Sequence, residues 1–116
     1  MQYLLMIYRN EAELGKMDAT AHQKMRAEYG AFTQSIIQSG NFKAADRLQP
    51  TTTATTVRVR DGKTLTTDGP FADTKEVFGG YYVFEAGNLD EALELAGRVP
   101  AARYGGSVEV RPVVER

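Results

Sequence analysis

Residues 2–9 form the segment that most constrains the fold. Side chains alternate between the two faces of a β-strand, and this run is apolar at every position from Tyr3 to Tyr8. Both faces of the strand would therefore be apolar, which is typical of a central strand or of one covered by a partner. Tyr81-Tyr82-Val83-Phe84, within a second predicted strand at residues 77–85, has the same pattern. The sequence thus predicts a sheet that needs cover on both faces.

Residues 19–39 are predicted to form a long helix over one of those faces. Thr20 and Gln23 have the spacing of an N-terminal capping box, Asp18 is an alternative cap, and Gly40 is the expected stop. Apolar residues recur at helical spacing and should face the sheet. They are Met25, Tyr29, Phe32 and Ile36.

A second helix is predicted to begin at Asn88, with Glu91 at the capping-box position, and to be terminated by Pro100. Its expected buried stripe is Leu89, Ala92, Leu93 and Ala96.

The remaining strands complete a recognisable order. Residues 42–48, 52–60, 63–67 and 107–114 are predicted as strands, and Asp61-Gly62 is a strong hairpin signal. The order of strand, helix, strand, hairpin, strand, helix and strand indicates an α+β, ferredoxin-like split βαβ fold with an inserted hairpin. Two helices cover one sheet face, so the other face is left for a second copy of the chain, and we expect a homodimer.

The segment 68–76 combines residue types that rarely occur together in a simple connector. Gly69 can adopt backbone angles that are closed to other residues, Pro70 fixes its own φ angle, and Phe71 is a large apolar side chain in a polar loop. We call residues 68–76 the motif loop. The sequence predicts an ordered loop, edged with charge and anchored by Phe71.

Five segments carry a family resemblance. They are Asp68–Glu76, Gly79–Tyr81, the opening Tyr3–Tyr8, Thr56–Lys63 and Glu109–Val113. These segments, and their order along the chain, resemble those of the DGPF proteins, a branch of the YCII-related superfamily. The resemblance covers most of the chain and implies a dimeric α+β barrel.

The resemblance also implies candidate activities. Some YCII-related proteins are linked to chloroaromatic breakdown, which implies proton abstraction or dehydrochlorination of a cyclic substrate. DGPF proteins resemble products found near extracytoplasmic-function sigma factors, which implies a regulatory partner. Proteins of the YCII branch are associated with a histidine–aspartate pair, but counting back from Gly40 places the histidine position at Tyr29. The pair is therefore not carried over, and His22 is expected to be a surface residue.

Composition excludes several classes of function. The 116 residues suit one domain, 1–116, and the net charge of −1 gives no field that would attract nucleic acid. Cysteine is absent and there is one histidine, so no metal site or cofactor is expected. The apolar N-terminal run is too short for a signal peptide or a membrane span, and a cytoplasmic location is expected.

Two carboxylates are candidate catalytic bases. Asp68 could act as a general base, or its carboxylate could bond to the backbone amides of its own turn. Glu109 is the other candidate.

Four residues are candidate ligand contacts. Arg58 and Arg111 could line a pocket or a solvent-exposed strand face, while Lys75 could hold an anion or pair with Asp73 or Glu76. Phe71 would border the cavity. The leading hypothesis is a protein that binds a small molecule next to the motif loop.

Overall fold

The computed structural model describes residues 1–116 and contains six strands and three helices. In chain order these are β1 Gln2–Arg9, α1 Glu11–Gly15, α2 Ala19–Gln38, β2 Phe42–Arg47, β3 Thr55–Arg60, β4 Lys63–Asp68, β5 Val77–Glu85, α3 Leu89–Gly97 and β6 Ser107–Pro112. None of the helices is both long and apolar enough to cross a membrane.

The predicted topology is confirmed. Four strands form an antiparallel sheet in the order β2-β5-β1-β6, and β3 pairs only with β4 in a separate two-stranded ribbon. The two central strands are the two whose sequences are apolar on both faces. The fold is α+β and ferredoxin-like, with a hairpin inserted between its two halves.

Helix α2 is capped differently from the capping-box prediction. The Asp18 side chain accepts a hydrogen bond from the backbone N–H of Ala21 at 2.8 Å, so Asp18 is the cap and Thr20 lies inside the helix. Gly40 follows the helix with a φ of 83°, which suits glycine. The predicted end of the helix is confirmed.

The core lies between the sheet and the two long helices. Tyr3, Leu5 and Ile7 of β1 are buried on this side. The predicted stripe of α3 was wrong at two positions, because Leu89 and Leu93 are about half exposed while Leu95 is buried. The buried cluster comprises Tyr3, Leu5, Ile7, Phe32, Ile36, Tyr82, Phe84, Ala86, Ala92, Leu95, Ala96, Val99 and Ala101.

The other side of the sheet is uncovered in the single chain, and we call it the open face. Its side chains come from the alternate positions of β1 and β5 and from the edge strands. The apolar members are Leu4, Met6, Tyr8, Phe78, Tyr81 and Val83. Helices cover only one face, as the sequence predicts.

The hairpin projects from the body of the molecule. Asp61 and Gly62 both have positive φ, 50° and 74°, which is the geometry of a type I′ turn. The radius of gyration is 16.1 Å, whereas a compact domain of this length has about 13 Å. We call residues 55–68 the arm.

Candidate functional site

A cleft lies between α2 and the core side of the sheet. Its volume is about 290 Å³. This is at the small end of the roughly 300–1,000 Å³ typical of ligand pockets, and a cavity of about 150 Å³ already admits benzene. Its lining residues are Ile7, Arg9, His22, Met25, Arg26, Tyr29, Ala45, Asp46, Arg47, Gly79, Gly80, Tyr81 and Tyr82. We call it the α2–sheet cleft.

Glycine makes room for the cleft on its sheet side. The pairing of β1 with β5 shifts by one residue between Ile7 and Tyr8, which leaves Gly79 as a bulge. Gly80 is buried and faces the helices, between Ile7 and Arg47 on the neighbouring strands. A Cβ atom on Gly80 would lie 3.0 Å from the backbone oxygen of Asp46. The sheet therefore has a bulge at Gly79 and a close backbone approach at Gly80.

Arg9 is the central polar group of the cleft. Its guanidinium donates to the hydroxyl of Tyr29 and to the Sδ atom of Met25 at 3.6 Å, and it lies 4.9 Å from the centre of the Tyr29 ring. Burial, together with the neighbouring Arg47, lowers the pKa of Arg9 from its ordinary value. A lowered pKa is expected for a cation whose surroundings do not fully replace the water that it has lost.

Arg9 has no carboxylate partner. The three ion pairs of the chain join Met1 to Glu85, Lys16 to Glu13 and Arg103 to Glu28, all elsewhere. The full guanidinium charge is therefore balanced only by a phenol, a thioether and the face of a ring.

The other charges of the cleft add to this imbalance. Arg26 and Arg47 also line it, against a single acidic residue, Asp46. Asp46 pairs with Tyr81 across β2 and β5, and its carboxylate accepts a hydrogen bond from the Tyr81 hydroxyl at 2.8 Å on the open face. The one carboxylate of the lining is thus engaged on the other side of the sheet.

Tyr82 lies beside Arg9 at the inner end of the cleft. Its hydroxyl is 2.9 Å from the Oγ1 atom of Thr33, and burial raises the pKa of this phenol. The phenol therefore stays neutral and can serve as a hydrogen-bond donor or acceptor at neutral pH.

The cleft continues towards the motif loop. A second hollow shares Arg9, His22 and Arg47 with it and extends to Leu48 and Phe78. A third hollow shares Leu48 and Phe78 with the second and is bordered by Phe71 and Pro70. The motif loop therefore borders the outermost of three adjoining hollows.

Several residues that the sequence nominated lie outside the cleft. Arg58 is on the arm, and Asp68 is the last residue of β4, whereas Glu109 and Arg111 are exposed on edge strand β6. The fold does not bring Arg58 and Asp68 together with the β6 pair within one chain. Their roles stay predictions.

Within the single chain, the expectation that Phe71 anchors the motif loop was wrong, and one of the two alternatives for Asp68 is not formed. Phe71 is 80% exposed, so it does not anchor the loop. The Asp68 carboxylate makes no hydrogen bond; instead Thr56 donates to the Gly69 carbonyl and the Gly69 N–H donates to the Ala54 carbonyl, both at 2.8 Å. The backbone holds the base of the turn, which leaves the acidic side chain free.

Lys75 and Glu109 do lie near each other. Both line a shallow groove with Tyr8 and Ser107, and Ser107 donates to Glu76 at 3.1 Å. Lys75 makes no ion pair with Asp73 or Glu76, so the surface-pair alternative is not formed.

Sequence reasoning missed the residues of the cleft. Tyr29 was predicted only as part of a core stripe, and His22 as a surface residue, whereas both line the cleft. A signal for Arg9 was present, because it continues the odd-numbered, core-facing positions of β1 after Ile7. A charged residue at a core-facing position of a strand indicates a functional site.

Comparisons with known proteins agree with the fold. The family model described as YCII-related domain matches residues 1–116. An uncharacterised protein of Rhizobium meliloti is 34% identical over 114 residues, covering 97% of this chain and 92% of the relative. A solved 5-chloro-2-hydroxyhydroquinone dehydrochlorinase of Burkholderia phenoliruptrix, in complex with 2,5-dihydroxybenzoquinone, has a TM-score of 0.58 and 14% identity. The alignment covers all of this chain and 96% of that one, and at this identity the likeness shows the fold.

Proposed function

The chain belongs to the family of YCII-related domains, and from that premise we propose that it binds a small organic anion in the α2–sheet cleft. The observation that carries the proposal is the half-buried Arg9 guanidinium, which has no carboxylate partner. Charges removed from water are normally paired. A cation kept half-buried and unpaired beside a second arginine therefore favours an anion supplied by a ligand.

The shape and chemistry of the cleft favour a single-ring ligand. The volume admits about one ring with its substituents, and Tyr29 and Tyr82 supply aromatic surface. A guanidinium donates to two oxygens at once, which suits a carboxylate or a pair of adjacent ring oxygens. The motif loop would border the outermost of the adjoining hollows.

We also propose that the protein acts as a homodimer in which the open faces of two copies cover each other. Leu4, Met6 and Val83 form an apolar strip on this face, and a sheet in water normally buries its apolar face. This is the arrangement that family membership predicts.

The binding proposal is tested with two compounds that differ in charge and hardly in shape, benzoate and benzamide. We expect benzoate to raise the melting temperature, since a ligand present at 100 times its Kd stabilises the fold by about 2.7 kcal/mol. Benzamide should have little effect, and 2,5-dihydroxybenzoquinone should bind at least as well as benzoate. Equal binding of benzamide and benzoate, measured by calorimetry, would overturn the role of Arg9.

A second candidate function is dehydrochlorination of a hydroxylated aromatic compound. The observation that favours it is the likeness of the whole fold to the solved dehydrochlorinase. Asp68 or Glu109 would be the base, and Lys75 or Arg111 would hold the anion. Chloride release from 5-chloro-2-hydroxyhydroquinone that falls in Glu109→Gln or Asp68→Asn would support it. Unchanged turnover in both variants would remove these residues from the reaction. Association with a sigma factor stays a prediction from the family resemblance.

A further inference from the structure

We propose that the arm is a dimer clasp, whose Val57 and Val59 pack against a second copy of the chain. The inference rests on the homodimer proposed above and adds to it a contact outside the open face. It follows from the isolation of the arm, from the difference between its two faces, and from the area that the open face can provide.

The arm has no partner in its own chain beyond its base. Strands β3 and β4 form a ladder only with each other, and every residue from Val57 to Asp68 is exposed. Its attachment consists of the hydrogen bonds between Gly69 and the chain at Ala54 and Thr56. An isolated two-stranded hairpin is only marginally stable in water, so an ordered arm of this length needs a surface to lie on.

The two faces of the arm differ in chemistry. Val57 and Val59 lie on one face opposite Thr66 and Thr64, and they are 59% and 66% exposed. The other face carries Arg58, Arg60 and Lys63, together with Leu65. Burying three cations without partners is far more costly than burying two valines. The valine face is therefore the one that packs, and the basic face stays in water.

The area of the open face leaves room for this contact. Four strands about 4.8 Å apart, paired over about six residues, give a footprint of roughly 400 Å². A stable interface buries about 800 Å² per partner. One face of the two-stranded arm adds about 200 Å², and in a symmetric dimer each copy both offers an arm and receives one. The arm that a subunit offers and the arm that it receives, added to its open face, bring the buried area to about 800 Å² for each subunit.

Apolar surface connects the arm to the open face. Tyr8 and Phe78 form an aromatic pair on that face with their ring centres 5.8 Å apart. Both border the same hollow as Leu48, Phe71 and Ala54, at the base of the arm. The exposed Phe71 is explained if a second copy covers this region as well.

The absence of cysteine allows a direct test of where the arm lies. We would place a single thiol with Val59→Cys, attach a benzophenone, mix ¹⁴N-labelled and ¹⁵N-labelled protein, and irradiate the mixture. Cross-linked peptides should join a light chain to a heavy one, and Leu65→Cys on the opposite face should give few of them. Links confined to one chain, or no links from Val59→Cys, would overturn the proposal.

Sedimentation separates this inference from the dimer itself. Val57→Asp combined with Val59→Asp should raise the dimer dissociation constant at least about tenfold, since two buried valines are lost from each arm. The matched control, Leu65→Asp with Thr67→Asp on the other face, should change it less than about threefold. If the wild-type protein is a dimer and the valine variant has the same dissociation constant, the clasp is refuted but the dimer is not. If the wild-type protein is a monomer, both the clasp and the dimer are refuted.

Discussion

Helix α2 contacts two arginines through neighbouring residues, and their surroundings differ. Arg103 donates to the Glu28 carboxylate at 3.1 Å, and Tyr104 donates to the same carboxylate at 2.9 Å. Arg9 is half-buried and has only the hydroxyl and ring of Tyr29 and the sulfur of Met25. The exposed Arg103 therefore has a carboxylate partner. Arg9 has none, although it is more buried and loses more of its hydration.

This difference assigns Arg103 a structural role and Arg9 a role in ligand binding. An exposed ion pair stabilises a protein by about 0–1 kcal/mol, so the Arg103 cluster is a minor structural feature. A half-buried cation without a counter-ion is unfavourable for folding, because it loses hydration without gaining a charged partner. Arg9 is therefore best understood through the anion that it would bind.

The largest expected effect is on ligand affinity in Arg9→Met. Losing the charged hydrogen bonds to a benzoate carboxylate should weaken binding by about 2–3 kcal/mol, or roughly 30–150-fold. The free energy of unfolding should stay within about 1 kcal/mol of wild type, since an unpaired charge is removed. Calorimetry and urea unfolding measure the two quantities. Arg103→Met is the control and should bind benzoate normally, and a similar loss in both variants would show that the two sites do not differ.

A second variant makes the two arginines alike. Met25→Glu would give Arg9 the internal carboxylate that Arg103 already has, at a position where the Met25 sulfur now lies 3.6 Å from the guanidinium. This carboxylate would compete with the ligand, and benzoate affinity should fall about tenfold or more. Met25→Gln has nearly the same shape without the charge and should bind better than Met25→Glu. Equal binding by the two variants would show that charge compensation of Arg9 is irrelevant to the site.

A smaller effect is expected for Tyr29→Phe. The ring that lies against Arg9 remains, and only the hydroxyl that accepts its hydrogen bond is lost. One neutral acceptor contributes about 0.5–1.5 kcal/mol, so benzoate affinity should fall about 2–10-fold. Tyr104→Phe, at the Glu28 cluster, is the matched control and should leave benzoate affinity unchanged. A loss in Tyr29→Phe as large as that in Arg9→Met would mean that the hydroxyl itself contacts the ligand.

The sequence predicted the frame of this molecule better than its site. The unbroken apolar run of β1, the Asn88 cap and the Asp61-Gly62 turn are local signals, and the structure confirms each of them. The isolation of Arg9 is not local, because it depends on which carboxylates the fold places near it. The exposure of Phe71 is likewise set by the position of the motif loop between the arm and the start of β5.

The smallest effect is expected for Glu28→Gln, which removes the carboxylate partner of Arg103 and should change only the free energy of unfolding. The hydrogen bond from Tyr104, with the help of Arg103, lowers the pKa of Glu28. A lowered pKa means that the carboxylate stabilises the fold above its unfolded pKa of about 4.3, and that this contribution is lost as the pH falls through the lower, folded value. Urea unfolding at pH 7 should therefore show Glu28→Gln to be slightly less stable than wild type, and at pH 3 the difference should shrink. Glu94→Gln, an exposed residue without a hydrogen bond, should show no such change, and benzoate binding should be unaffected in both variants. If the Glu28→Gln difference persisted at low pH, the stabilisation would come from packing, and the contrast between the two arginines would have to rest on Arg9 alone.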